Sequence, residues 1–190
     1  MKIYCFGDSN TFGFDPRSYF GSRYPSDGRW VDIVAKKSGW SMENGGENGK
    51  TIPSLDYEIT LYSRIFSQHL PDLLIIMLGS NDILQGLSAK AASARMIHFI
   101  SGINIDNENI LLVSPPPFTD GLWIEDAKYI EYSIQLGHFY KEISQKLGIN
   151  FIDSSQWNIP LCYDGVHFTE EGHKIFAENM HKTILAIKEK

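Results

Sequence analysis

The sequence predicts an α/β protein, a three-layer α/β/α sandwich around a parallel sheet of about five strands. Three observations predict it. Short β-rich runs alternate with longer segments of helical period from one end of the chain to the other. One run, Leu73 to Leu78, is apolar without interruption, as a strand covered on both faces requires. A repeated strand–helix pattern implies parallel strands joined by crossover helices that cover both sides of the sheet.

Taken in order, Lys2 to Phe6 is the first strand. From Arg29 to Ser38, Trp30, Ile33, Val34 and Lys37 recur at helical spacing, and Gly39 is a good C-terminal stop. A weak second strand spans Trp40 to Glu43. Pro53 to Leu70 is a helix with Leu55, Ile59, Tyr62 and Phe66 on one face, and Pro71-Asp72 restarts the chain before the buried strand at Leu73. Ser88 to Ile103 is an Ala-rich helix. Asn109 to Ser114 is the next buried strand, closed by Pro115-Pro116-Pro117, which cannot donate ladder hydrogen bonds. Asp126 to Leu147 is the longest helix, ended by Gly148, and Asn150 to Asp153 is a short last strand. Thr169 caps the C-terminal helix, with Glu170 and Glu171 complementing the positive end of its dipole. No repeat or linker divides residues 1–190, so a single domain is expected.

Composition excludes several classes. With 190 residues, 43% of them hydrophobic, the chain can bury a full core. A net charge of -6 with 17 dispersed basic residues argues against nucleic acid. Two cysteines, Cys5 and Cys162, are too few for a zinc site or disulfide scaffold and are expected as thiols. No export signal fits before Gly7 and no apolar run is long enough to span a membrane, so a cytoplasmic protein without membrane insertion is expected. Assembly into a homo-oligomer is left open.

Four short motifs fall beyond strand ends or before helices. They are Gly7-Asp8-Ser9, the Asn44 to Thr51 run containing Gly49, Gly79-Ser80-Asn81-Asp82, and Asp164-Gly165-Val166-His167. A serine leaving a strand at its carboxyl end stands where α/β sheets place their chemistry. It needs a base to take its proton and a carboxylate to hold that base in the right tautomer. The three-residue separation of Asp164 and His167 lets one turn supply both. A Gly-Asp-Ser tripeptide alone is an ordinary turn, and Asp8 reads as a turn former that accepts backbone hydrogen bonds rather than as the catalytic acid. Asp82 reads as a helix cap or loop anchor. His69, His98, His138, His173 and His181 lie within helical patterns and read as surface or boundary residues.

Together, over the whole chain, the four motifs resemble the SGNH hydrolases, also called GDSL esterases and lipases, whose four blocks occur in this order. The resemblance implies the flavodoxin-like fold of that superfamily. It makes Ser9 the nucleophile, Asp164 and His167 its acid and base partners, and Ser9, Gly49 and Asn81 the oxyanion donors. Phe6-Gly7-Asp8-Ser9 with Thr11 and Gly13, Arg29-Trp30, Val113 to Pro117 and Asp164 to Thr169 resemble the arylesterase and acyltransferase branch. The chemistry of the residues agrees: an ester carbonyl under attack develops negative charge that preorganised N–H donors must meet. Glycine at 49 would permit close backbone approach, and the Asn81 amide donates without carrying charge.

The expected activity is therefore hydrolysis of small carboxylic acyl esters through an acyl-Ser9 intermediate, including deacetylation of sugars or acyl transfer to alcohols. No cofactor and no metal are needed. Two other classes compete. A metal-dependent phosphoesterase would gather Asp8, Asn81, Asp82, Asp164 and His167 around a divalent ion, and a non-catalytic module would keep the fold for ligand binding alone. The aromatic stretch from Thr11 to Trp30, with Phe12, Phe14, Tyr19, Phe20 and Tyr24, reads as a long loop beside Ser9. The segment from Pro115 to Ile124, with Phe118 and Trp123, would face it as an opposite wall.

Overall fold

The computed structural model describes residues 1–18 and 20–188. Five strands, β1 (Lys2–Gly7), β2 (Ser41–Gly46), β3 (Leu73–Met77), β4 (Ile110–Ser114) and β5 (Asn150–Asp153), form one sheet in the order β2-β1-β3-β4-β5, every pair parallel. The helices are α1 (Ser9–Phe12), α2 (Trp30–Ser38), α3 (Asp56–His69), α4 (Ser80–Leu84), α5 (Ala89–Gly102), α6 (Lys128–Leu147) and α7 (Glu170–Lys188).

Strand alternation explains the layers. On one face Phe6, Leu74, Ile76, Ile110 and Leu112 join a core with Ile59, Phe66, Met96, Phe99 and Tyr140 of α3, α5 and α6. On the other, Ile3, Cys5, Leu73, Ile75, Met77, Leu111 and Val113 meet Trp30, Val34, Phe176, Met180 and Ile184 of α2 and α7. Each central strand thus buries both of its side-chain rows, which is why β3 and β4 carry no polar alternation.

The chain leaves β1, adds β2 on one side, then crosses to build β3 on the other. That reversal opens a crevice beyond the carboxyl ends of β1 and β3, the place where open α/β sheets bind ligands. Ser9 follows β1 and Asn81 follows β3, so the topology alone brings both to one crevice.

The structure differs from the sequence reading in four ways. The second strand runs on through Asn44, Gly45 and Gly46, which pair with Cys5, Phe6 and Gly7. Asn and Gly are poor strand formers, and the edge of β1 overrides their propensity. The stretch after Ser9 and the Gly79 motif each open a helix of four or five residues, α1 and α4, too short for any apolar period to announce. The third helix begins at Asp56 rather than Pro53, where Glu58 Oε2 accepts from the Ser54 and Leu55 N–H groups. Thr169 does cap α7, its hydroxyl accepting from Gly172 N–H at 2.9 Å.

The fourth difference is His173, which is completely buried rather than at a surface or boundary. Its ring packs against Tyr24 at 5.3 Å and Phe168 at 5.2 Å, and neither ring nitrogen has a hydrogen-bond partner among the described residues. Among the described residues no helix is long and apolar enough to cross a membrane.

Burial, together with the nearby His167 and Arg29, pushes the His173 imidazole down from 6.5 to about 3, so it is buried neutral. A depressed base leaves full stability above its unfolded value, and stability falls as pH drops below 6.5, where the unfolded chain binds the proton first. His173→Leu should remove about 3 kcal/mol of the stability that wild type loses between pH 6.5 and pH 4. Urea denaturation of both proteins across that range checks it; parallel pH profiles would refute the buried neutral histidine.

Candidate active site

Asp8 starts the site. It caps α1, its Oδ1 accepting from Asn10 N–H at 3.0 Å, and its carbonyl takes the N–H groups of Thr11 and Phe12. Burial drives its carboxyl up to about 6 against the opposing effects of that N–H, of His167 and of Ser80. This is the turn-forming role read from the sequence. It leaves Ser9 as the first residue of α1, 7% exposed, at the mouth of the sheet.

The C-terminal loop brings the other two groups. Asp164 Oδ1 accepts from the backbone N–H groups of Val166 and His167, both at 2.9 Å, and Oδ2 lies 2.8 Å from His167 Nδ1. Burial raises this carboxyl, but the ring and two backbone donors outweigh it and hold it below the ordinary carboxylate value. An ionised carboxylate only accepts, so the imidazole proton is assigned to Nδ1 and Nε2 is left to accept. Ser9 Oγ lies 2.9 Å from that Nε2. All three side chains are buried, with Asp164 at 0% and His167 at 2% exposure.

Asn10, which the sequence reading passed over, joins the two ends of the chain. Its Nδ2 donates to the Val166 carbonyl at 3.1 Å and its Oδ1 accepts from Phe168 N–H at 2.9 Å, so one amide grips the backbone on both sides of His167. Trp30 Nε1 donates to the Asn10 carbonyl from behind. The only advance signal was an amide placed directly after the serine.

The remaining motifs meet at a cavity of about 130 Å³ lined by Ser9, Asn48, Gly49, Asn81 and His167. Asn81 Nδ2 donates to the Lys50 carbonyl at 3.0 Å, which fixes the amide plane and leaves its second hydrogen for the cavity. Asp82 anchors the same loop, as one of its expected roles: Oδ2 takes Ile52 N–H and Oδ1 takes Arg95 Nη1, both at 3.0 Å. Gly49 has φ +74, and a Cβ there would meet nothing within 4 Å. Its left-handed backbone conformation favours glycine at this position.

Aromatic walls complete the cavity. Phe14 and Trp123 each lie 4.8 Å from the His167 ring, centroid to centroid. The segment carrying Trp123 is laced to the Asp164–His167 loop by backbone bonds from Thr119, Leu122 and Trp123 to Gly165, Tyr163 and Asp164. Gly121 allows this, since a Cβ there would overlap the backbone of Asp164 and Gly165. Of the other aromatics weighed as walls, Tyr24 and Phe118 are buried in the fold, Phe12 packs under Arg23, Phe20 stands exposed, and Tyr19 lies outside the described residues.

The carboxylates are not arranged for a metal. Asp8 faces its own turn, Asp82 faces Ile52 and Arg95, and Asp164 faces His167. Among the described residues no three His, Cys, Asp or Glu side chains could hold an ion together. Larger grooves exist, such as one of about 420 Å³ between α6, β5 and α7, but that one contains no histidine to serve as a base.

Comparison with known proteins shows the family and the fold. Residues 5–175 match the model of the GDSL-like Lipase/Acylhydrolase family. Among curated protein sequences none matches the chain. Solved structures similar to it include a protein of Agrobacterium tumefaciens str. C58 provisionally named an arylesterase, with 28% identity, TM-score 0.83, and 98% of this chain and 100% of that chain covered. A carbohydrate acetylesterase family member from Sinorhizobium meliloti shares 25% identity with TM-score 0.80, covering 98% and 99% of the two chains. The aryl esterase of M. smegmatis, at 23% identity, TM-score 0.83 and the same coverage, shares the fold. The buried serine, histidine and aspartate thus sit in a chain that belongs to the GDSL-like lipase/acylhydrolase family, the serine carboxylic ester hydrolases.

Proposed function

We propose that this hydrolase cleaves esters of small acyl groups through a covalent acyl-Ser9 intermediate. The observation that carries the reading is the unbroken hydrogen-bonded series Ser9, His167, Asp164 opening on a cavity bordered by Gly49 and Asn81. Ser9 Oγ attacks the ester carbonyl carbon while His167 Nε2 takes the hydroxyl proton. Negative charge on the carbonyl oxygen is met by the N–H groups of Ser9 and Gly49 and by the Asn81 amide.

The tetrahedral intermediate collapses by breaking the bond to the alcohol oxygen, which leaves with the proton from Nε2. Water, deprotonated by the same nitrogen, then attacks the acyl-Ser9 carbonyl and releases the acid and free serine. An alcohol taking the place of that water gives acyl transfer. Asp164 holds the imidazole tautomer and supports its charge throughout.

Acyl size follows from the cavity. At about 130 Å³ it is well below the roughly 300–1,000 Å³ of pockets that take drug-sized ligands, and Phe14 and Trp123 bound it with rigid rings. An acetyl or similarly short chain fits this reading. Similar structures carry the names arylesterase and carbohydrate acetylesterase, which makes aryl acetates and acetylated sugars the esters to test first.

Ser9→Ala should abolish nearly all hydrolysis of an aryl acetate, and Asn81→Ala should lower kcat by on the order of 10²–10³. Steady-state kinetics on folded variants checks both. A Ser9→Ala protein that retains wild-type turnover would remove the covalent mechanism. Along a series of aryl esters from acetyl to decanoyl, kcat/KM should fall steeply once the acyl chain outgrows the cavity; a maximum at the long chains would refute the small-acyl reading.

A further inference from the structure

Lys50 is buried beside the site yet takes no part in the proton transfers. Its backbone follows Gly49 directly, and its side chain is only 5% exposed. Nζ donates to Glu47 Oε1 at 2.7 Å and to Tyr62 Oη at 2.8 Å, and it lies 4.5 Å from the ring centroids of both Phe6 and Tyr62. A compact ammonium held by one carboxylate, one phenol and two aromatic faces has little freedom left. A buried cation is costly unless so compensated, and this one is compensated on every side the contacts describe.

The same residue governs the loop that borders the cavity. Its carbonyl accepts the Asn81 amide at 3.0 Å, and its N–H donates to the Glu47 carbonyl at 3.3 Å. Glu47 N–H in turn donates to the Gly7 carbonyl, one residue before Asp8. The Gly49 backbone therefore hangs between two points tied to the end of β1, while the Asn81 amide is aimed by the residue whose side chain is clamped.

We infer that Lys50 is a positioning residue of the oxyanion site: its ammonium, locked between Phe6, Tyr62 and Glu47, holds the 47–50 turn so that the Lys50 carbonyl keeps the Asn81 amide directed at the substrate oxygen. The inference rests on the acyl-Ser9 reading above. It assigns Lys50 no contact with substrate. Removing the ammonium should loosen the Asn81 donor, which matters in the transition state, and leave ground-state binding nearly unchanged.

The test is a double-mutant cycle on aryl acetate hydrolysis with Lys50→Met, Asn81→Ala and the double variant, read as kcat and KM. Lys50→Met should lower kcat by about 10- to 100-fold with KM within about twofold, and the double variant should be no more than about threefold slower than Asn81→Ala alone. Effects that multiply instead, or a wild-type kcat in Lys50→Met, would overturn the role of Lys50. If Lys50→Met does not fold, Tyr62→Phe keeps the ring and removes one clamp. It should lower kcat by about 3- to 10-fold, again without multiplying the Asn81→Ala effect, and a multiplying or absent effect overturns the inference. An Asn81→Ala enzyme at wild-type rate would sink the oxyanion reading itself, a failure distinct from multiplicative effects on a slow Asn81→Ala background.

Discussion

One side-chain amide holds the site together. Ser9 and His167 are 158 positions apart, and a 2.9 Å contact between them survives only if the first turn of the chain and its penultimate loop are held in register. Asn10 does this by bonding the backbone of Val166 and Phe168, bracketing the imidazole as a neighbouring strand would. Both bonds are buried, so water offers neither partner a substitute, and leaving either group unpaired costs about 1–3 kcal/mol. The Ser9 turn and the Asp164–His167 loop are thereby tied into one unit.

The rest of the site is arranged around that unit by the same economy of fixed polar groups. Asp164 spends one oxygen on two backbone N–H groups and the other on the imidazole. Asp82 fixes Ile52, and the Lys50 carbonyl orients Asn81, so each side of the cavity is built from groups whose alternatives are already taken. Preorganisation of this kind lets dipoles meet developing charge without reorganising at the moment of reaction. The rings of Phe14 and Trp123 pack against His167, each 4.8 Å from it centroid to centroid, and narrow the cavity beside Ser9.

Much of this was legible in the sequence, for physical reasons that differ by element. Leu73 to Leu78 and the Ile110 to Val113 run announce their strands because burial on both faces leaves no room for polar residues. Gly39 and Gly148 stop their helices in the left-handed conformation, as their positions suggest. Ser9, Asp164 and His167 are expected together because proton transfer demands those side-chain types in a small set of spacings, and the fold brings them into hydrogen-bond contact. What stayed hidden depends on contacts made only after folding. The Asn44 to Gly46 segment becomes a strand because β1 offers an edge, and α1 and α4 are too short to carry a period. His173 is buried by rings from Tyr24 and Phe168, which no local pattern of α7 reveals. Asn10 and Lys50 look like ordinary polar residues until the chain closes on them.

In the proposed mechanism Ser9 Oγ, activated by His167, is the atom that becomes acylated. Treating the folded enzyme with a fluorophosphonate and mapping the modified peptide by mass spectrometry tests it most directly. One phosphonyl group per chain is expected, carried by Ser9, with ester hydrolysis lost in step with labelling. Full activity in a protein that remains unlabelled, or a label seated on another residue, would contradict it.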